Sequence, residues 1–256
     1  MIRIGVVGAA GRMGREVCRA VAADPDLDLV AAVDPHGADA TVEGLAIMPA
    51  LDALVDAGTQ VAVDFTQPEA VMGSIRWALE HDVHYVVGTT GITPAGLDEL
   101  RTRTAGSNAN VVIAPNFAIG AVLMMRFAEL AARSMPAAEI IELHHDAKVD
   151  APSGTALSTA RAIAAARGDV SPSPGGDEDH PGARGADVDG VRVHSVRLPG
   201  LVAHQEVIFG ARGQTLSIRH DTTDRSAFMP GVLLAVKAVS ARPGLTVGLG
   251  ALLEDG

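Results

Sequence analysis

The segment His144-His145-Asp146-Ala147-Lys148-Val149-Asp150-Ala151-Pro152-Ser153-Gly154-Thr155 gathers several reactive side-chain types in one short stretch. Its two imidazoles can accept or donate protons near neutral pH. Lys148 adds a full positive charge. Pro152 to Thr155 reads as the opening of a helix, with Ser153 as its N-cap. The N–H groups of such a first turn, with two hydroxyls beside them, can hold a carboxylate. The combination suits an anion bound beside a proton-transfer step. Plainer readings stand next to it: Ser153 caps a helix in either case, and the histidines could be surface residues. A metal site with Asp146 is the weakest alternative. Neighbouring histidines on a strand point apart, and Lys148 would repel the ion, so no metal is expected.

A second group begins the chain. Gly8-Ala9-Ala10-Gly11-Arg12-Met13-Gly14 has the spacing G-x-x-G-x-x-G and lies between an apolar run and a helical stretch. Glycines let a backbone turn tightly and approach a pyrophosphate, while the N–H groups of the helix start face the anion. Asp34 follows at the end of the next apolar run, where a carboxylate can hydrogen-bond a ribose hydroxyl of NAD. A glycine triplet alone would be a tight turn without a ligand. The order strand, glycines, helix, strand, acid points instead to a dinucleotide. Arg12 reads two ways, as an attractor of a 2′-phosphate or as a solvated side chain, whereas Asp34 would repel that phosphate. Gly88-Thr89-Thr90-Gly91 and Ala114-Pro115-Asn116-Phe117 follow later strands and by themselves read as ordinary loops.

These residues need elements to carry them. Short apolar runs at 2–7, 27–33, 61–65, 84–87 and 111–114 predict buried strands, and 15–23 and the stretch opened by Pro68 predict helices between them. Strands alternating with helices imply an α/β fold, a Rossmann-like doubly wound parallel sheet. The rhythm then changes. A helix is expected over 119–132, a strand over 139–143 and an Ala-rich helix over 153–167. Residues 171–189, rich in Pro, Gly and Asp, read as a long loop. Strands are expected at 191–198, 204–209 and 215–220, with Gly210 and Gly213 bracketing a hairpin turn, and a helix at 229–239. This second part reads as a smaller α+β domain with a mixed sheet.

Composition narrows the function classes. The 256 residues are 48% apolar and 20% charged, enough for a sizeable core, and only 3% aromatic. A net charge of −11 disfavours a nucleic acid partner, which asks for a basic face. No apolar run reaches the roughly 18 residues that suggest a membrane span. The first residues, MIRIGVVGAAGRMG, lack the pattern of a signal peptide. The lone cysteine, Cys18, excludes an intrachain disulfide. A cytoplasmic protein is expected. Cys18 lies within the first helix, which excludes the thioacyl-forming semialdehyde dehydrogenases. The competing class is a non-catalytic NAD(H)-sensing regulator, against which the absence of a basic cluster argues.

The segment IELHHDAKVDAPSGTA at 141–156 resembles the signature of the 4-hydroxy-tetrahydrodipicolinate reductase family of bacterial lysine biosynthesis. So do VGAAGRMG at 7–14, VVGTTG at 86–91, APNFAIG at 114–120, RGADVDG at 184–190 and VHSVRLPGLVAHQEVIFG at 193–210. The resemblance spans most of the chain in one order. It implies reduction of a small cyclic dicarboxylate, with loss of water and hydride from NADH or NADPH. It implies His144 as acid/base, Lys148 as proton donor and His145 as a substrate contact, with Ser153, Gly154 and Thr155 holding one carboxylate. Gly8, Ala9, Ala10, Gly11, Arg12, Met13, Asp34, Gly88, Thr89, Thr90, Ala114, Pro115, Asn116 and Phe117 would line the cofactor. It further implies a homotetramer, with 1–117 and 228–256 forming the dinucleotide-binding domain and 118–227 the substrate-binding and oligomerisation domain. One departure concerns cofactor choice: Pro35 stands where some members carry an arginine that helps bind NADPH.

Overall fold

The computed structural model describes residues 1–37, 40–168 and 179–253. They divide into two compact units, Met1–Ile119 with the stretch from Phe228 onward, and Gly120–Ala227.

In the first unit, β1 (Ile2–Val7) leads into α1 (Arg12–Ala23), which starts three residues earlier than the apolar pattern predicts and buries Gly14, Val17, Cys18 and Val21. Then come β2 (Leu27–Val33), β3 (Thr41–Val42), β4 (Leu45–Met48) and α2 (Asp52–Asp56). β5 (Val61–Asp64), α3 (Pro68–Glu80) and β6 (His84–Val87) follow, then α4 (Pro94–Thr104) and β7 (Val111–Ile113). The sheet has the order β13-β7-β6-β5-β1-β2-β4-β3, where β13 is Leu245–Val247 near the chain's end. Its pairings are parallel except for β3 with β4. Every residue of β5 and β7 is buried, as expected of strands covered on both faces.

Four features go beyond the sequence reading. The β3–β4 hairpin turns through Glu43 and Gly44, both at positive φ, a two-residue turn whose flanking strands are too short to show alternation. α2 is barely longer than one turn. α4 buries only Leu100 and Thr104, so its apolar stripe is faint, although Thr93 caps it by accepting from the Gly96 N–H at 3.1 Å. β13 joins the sheet beside β7.

The second unit opens with α5 (Ile119–Ala132), whose bounds are those predicted. β8 (Ala137–His144), α6 (Gly154–Ala166), β9 (Ala186–Val188), β10 (Val191–Arg197), β11 (Ala203–Ala211) and β12 (Gln214–Thr222) follow. The sheet order is β12-β11-β8-β10-β9, with β8 and β10 parallel and the other pairs antiparallel, a mixed sheet. Small residues dominate the helix–sheet seam: Ala128 and Ala132 of α5 and Ala156 and Ala160 of α6 pack with Ile140, Val193, Val207 and Phe209. Of the loop expected at 171–189, residues 171–178 lie outside the described residues, and Ala186–Val188 is strand β9 rather than loop, paired with β10. Gly210 is paired with Thr215 inside the ladder, so the hairpin turns at Arg212 and Gly213 instead. The chain returns to the first unit with α7 (Met229–Ala238), where an added Cβ at Gly231 would come within 2.9 Å of Leu249.

Candidate active site

In the first unit the parallel strands deliver their carboxyl ends to one edge of the sheet. The loops after β1, β2, β5, β6 and β7 therefore share that edge, and they contain the predicted cofactor residues. Gly8 adopts φ +81, and a Cβ there would stand 2.8 Å from the Phe65 carbonyl oxygen. Gly11 is the N-cap of α1 and offers no side-chain cap, leaving the first-turn N–H groups to an outside acceptor. Gly14 lets the helix pack onto the loop: a Cβ would stand 2.7 Å from the Gly8 carbonyl carbon. Arg12 is exposed at the helix start. Asp34 is nearly buried; its Oδ2 accepts from the Ala10 N–H at 3.0 Å and its Oδ1 from the His36 N–H at 2.9 Å. The acid thus ties the glycine loop to the end of β2. These features fit a dinucleotide pyrophosphate, with a carboxylate fixed beside the helix start.

Asp64, fully buried at the end of β5, carries no motif that marks it in the sequence. Its Oδ1 accepts from the Thr66 N–H (2.8 Å), the Thr66 hydroxyl (2.6 Å) and the Thr89 hydroxyl (3.2 Å), and its Oδ2 from the Tyr85 hydroxyl (2.9 Å). One carboxylate therefore holds both the loop after β5 and the Gly88–Thr90 loop. Burial, then the charge of Asp64, pushes the Tyr85 hydroxyl well above its ordinary pKa, so it stays a donor. The Phe65 ring lies close over Gly88, where a Cβ would come within 2.7 Å of its Cδ1, and pairs with Phe117 at 5.9 Å between centroids. Asn116 Oδ1 accepts from the Ala118 N–H at 2.9 Å, shaping the loop after β7. Burial pushes the Cys18 thiol up to about 12, which keeps it protonated and unreactive.

The second unit holds the predicted substrate residues. β8 alternates, burying Ala138, Ile140 and Glu142, so Glu142 occupies a core-facing position that the pattern reserves for an apolar side chain. It is 0% exposed. Its Oε2 accepts from His144 Nδ1 at 2.5 Å and Arg197 Nη1 at 2.9 Å. Its Oε1 accepts from Arg197 Nη2 at 2.8 Å and the Ser153 N–H at 3.2 Å. Burial alone would raise the Glu142 pKa. Hydrogen bonds from His144, Arg197 and Ser195, with the charge of His144, outweigh it and bring the carboxyl down to about 2.

His144 ends β8, and His145 follows it, its carbonyl accepting from the Lys148 N–H at 3.1 Å in the next turn. Lys148 Nζ donates to both Asp150 oxygens, at 2.7 and 2.9 Å. The hydrogen bond from Lys148 is the main cause that lowers the Asp150 pKa. Arg197 Nη2 also donates to the Asp150 carbonyl at 2.6 Å, so contacts run from Lys148 through Asp150, Arg197 and Glu142 to His144. Ser153 Oγ caps α6 by accepting from the Ala156 N–H at 3.2 Å. Gly154 and Thr155 open that helix, and a Cβ at Gly154 would meet nothing within 4 Å. Glu142 and Arg197 lie inside the segments 141–156 and 193–210 without a predicted role; the signal for Glu142 is a glutamate in register with Ala138 and Ile140. The RGADVDG segment brings Arg184 to Glu139, which also accepts from His194 Nε2 at 2.8 Å. Among the described residues no cluster of three His, Cys, Asp or Glu side chains could hold a metal ion, and no helix is long and apolar enough to cross a membrane.

Comparison with known proteins bears on the whole chain. The family model "Dihydrodipicolinate reductase, N-terminus" matches residues 2–117, and "Dihydrodipicolinate reductase, C-terminus" matches 120–253. A 4-hydroxy-tetrahydrodipicolinate reductase of Nocardia farcinica is 56% identical over 257 residues, covering 99% of both chains. One from Mycolicibacterium vanbaalenii is 51% identical, again covering 99% of both. A solved dipicolinate-bound dihydrodipicolinate reductase from Paenisporosarcina sp. TG-14 superposes with a TM-score of 0.89 at 40% identity, covering 98% of this chain and 99% of that one.

Proposed function

This chain belongs to the dihydrodipicolinate reductase family, and from that premise we propose how its residues divide the work. The reaction converts 4-hydroxy-tetrahydrodipicolinate to tetrahydrodipicolinate in the diaminopimelate and lysine pathway. One water leaves, and one hydride and one proton are taken up. A bound nicotinamide nucleotide supplies the hydride.

The first unit holds the dinucleotide. The α1 start receives the pyrophosphate, Asp34 the ribose, and the Gly88–Thr90 and Ala114–Phe117 loops line the nicotinamide end. The second unit holds the dicarboxylate and mediates assembly into a homotetramer in the cytoplasm. Ser153, Gly154 and Thr155 receive one carboxylate at the α6 start, and His145 contacts the substrate. Hydride addition to a π system conjugated with the ring nitrogen leaves an electron pair to be protonated. Lys148 donates that proton and His144 serves as acid/base. The observation that carries this assignment is the chain of contacts from Lys148 to His144, which runs beside a Ser-capped helix start.

Both NADH and NADPH serve, with NADH at least as good. Asp34 is held by two backbone N–H groups, so its charge stays where a 2′-phosphate would sit, and Pro35 adds no opposing charge. Arg12, exposed at the helix start, favours NADPH.

The test is NADH oxidation followed by absorbance, with and without freshly made hydroxylated dicarboxylate. Lys148→Ala should lower kcat by roughly 10²–10⁴-fold, the range of a lost general acid, with NADH binding unchanged. A variant that keeps most of its kcat removes Lys148 from the mechanism, and wild-type protein without substrate-dependent oxidation removes the reaction.

A further inference from the structure

Glu142 is a carboxylate at the core face of a sheet, where burial disfavours the charged form and an apolar residue would fill the space. We propose that Glu142 is a positioning residue for proton transfer: it holds the His144 imidazole by Nδ1, so that His144 works through Nε2. This rests on the reading of His144 as acid/base and names the group that makes it effective.

Both oxygens are engaged, and Ser195, opposite Glu142 on β10, adds a further hydrogen bond. Oε2 takes His144 Nδ1 at 2.5 Å and Arg197 Nη1 at 2.9 Å; Oε1 takes Arg197 Nη2 at 2.8 Å and the Ser153 N–H at 3.2 Å. The two parallel bonds from Arg197 fix the plane of the carboxylate and balance its charge. An ionised carboxylate only accepts hydrogen bonds. Nδ1 must therefore carry the hydrogen, and in the neutral imidazole Nε2 holds the lone pair. Nε2 is then the atom that takes a proton and, once charged, gives it back. The same logic gives the buried aspartate of serine-protease triads its role of setting tautomer and orientation without itself becoming protonated.

The arrangement also explains the location of the pair. Arg197 lies opposite His144 in the β8–β10 register and reaches back to the Asp150 carbonyl at 2.6 Å, within the turn that carries Lys148. The Ser153 N–H seats the α6 start on the same carboxylate. Opposite Glu142 on β11 stands Gln205, which is neutral and donates to the Thr159 hydroxyl at 2.8 Å. No second carboxylate competes for Nδ1 among the contacts of the described residues. One buried ion pair thereby holds the acid/base residue, the turn bearing the proton donor and the carboxylate-binding helix start to a common frame.

The experiment uses the full chain labelled with ¹⁵N-histidine, with His144 signals identified by their loss in His144→Gln. In neutral wild-type protein the hydrogen should be on Nδ1. Glu142→Gln can donate through its amide, so it should release that preference and lower kcat by about 10²-fold or more, with the KM for NADH within about two-fold. Wild-type His144 carrying its hydrogen on Nε2 overturns the proposal without recourse to any variant, and so does a Glu142→Gln protein with unchanged kcat. His144→Gln with wild-type kcat would overturn the acid/base reading, and Glu142's part in it with that reading. The tautomer result bears on Glu142 alone, so the two failures are distinguishable.

Discussion

The three motif glycines meet different physical demands, and Gly14→Ala is the sharpest way to show it. An ideal Cβ at Gly14 would lie 2.7 Å from the Gly8 carbonyl carbon, 2.8 Å from the Ala9 Cα and closer still to the Gly8 oxygen. All three atoms are backbone, so no side chain can swing aside. To restore ordinary contact, α1 must withdraw from the glycine loop by about 1 Å, against the packing of Val17, Cys18 and Val21 beneath it. Overpacking of this kind costs about 3 kcal/mol, at the upper end of the usual range. For a protein of this size that lowers Tm by roughly 6–12 °C. The same retreat moves the first-turn N–H groups away from the pyrophosphate, so NADH affinity should fall by at least about 10-fold. Gly11→Ala is the control. Its Cβ would meet only the Gly8 oxygen, at 3.2 Å, and its φ of −69° suits any residue. Its Tm should stay within about 2 °C of wild type; a loss of NADH binding there would then report approach of the dinucleotide itself. The measurements are thermal melts and NADH titration by fluorescence. A Gly14→Ala protein with wild-type Tm and NADH affinity would refute the packing argument.

A Cβ at Gly154 meets nothing within 4 Å, so Gly154→Ala should leave Tm and NADH affinity unchanged while weakening the dicarboxylate, as read by titration of dipicolinate. If cofactor affinity falls instead, the carboxylate does not bind at the α6 start. Arg12→Ala should lower kcat/KM for NADPH by roughly 10–100-fold, the worth of a charge-assisted contact, and for NADH far less; equal losses would show that Arg12 meets no 2′-phosphate. Glu142 is depressed from 4.5 to about 2 in the folded chain, so its stabilisation is present above its unfolded pKa and is lost as pH falls through the folded value. That contribution is about 3 kcal/mol at neutral pH, and Glu142→Gln should flatten the loss of stability between about pH 5 and 2. An acid-unfolding profile identical to wild type would show that Glu142 is not ionised in the folded protein.

Local rules made much of this protein legible in its sequence. The strand over Ile2–Val7, the glycine loop and Asp34 at the end of Leu27–Val33 follow from apolar runs, turn residues and their spacing, all decided within a few dozen residues. The α5 bounds follow from a long apolar helix, and the Ser153 cap from a hydroxyl before a helix start. The run that forms β10 is readable because Gly190 and Pro199 bound it, whereas Ala186–Val188, inside a stretch rich in Pro, Gly and Asp, carries no strand pattern of its own. What only the tertiary structure decided are the partnerships between distant residues. Asp64 joins Tyr85 and Thr89, 21 and 25 positions away, and Glu142 joins Arg197, 55 positions away. A buried charge has no sequence signature of its own. A glutamate in an alternating strand looks like a flaw in the pattern until the fold supplies its arginine and its backbone donor. β13 was hidden for the same reason, since three residues become a strand only when the β7 edge is there to pair with them. The residues able to do chemistry are visible in order along the chain, but the arginine that pairs with Glu142 comes from β10, through a strand pairing that no local pattern encodes.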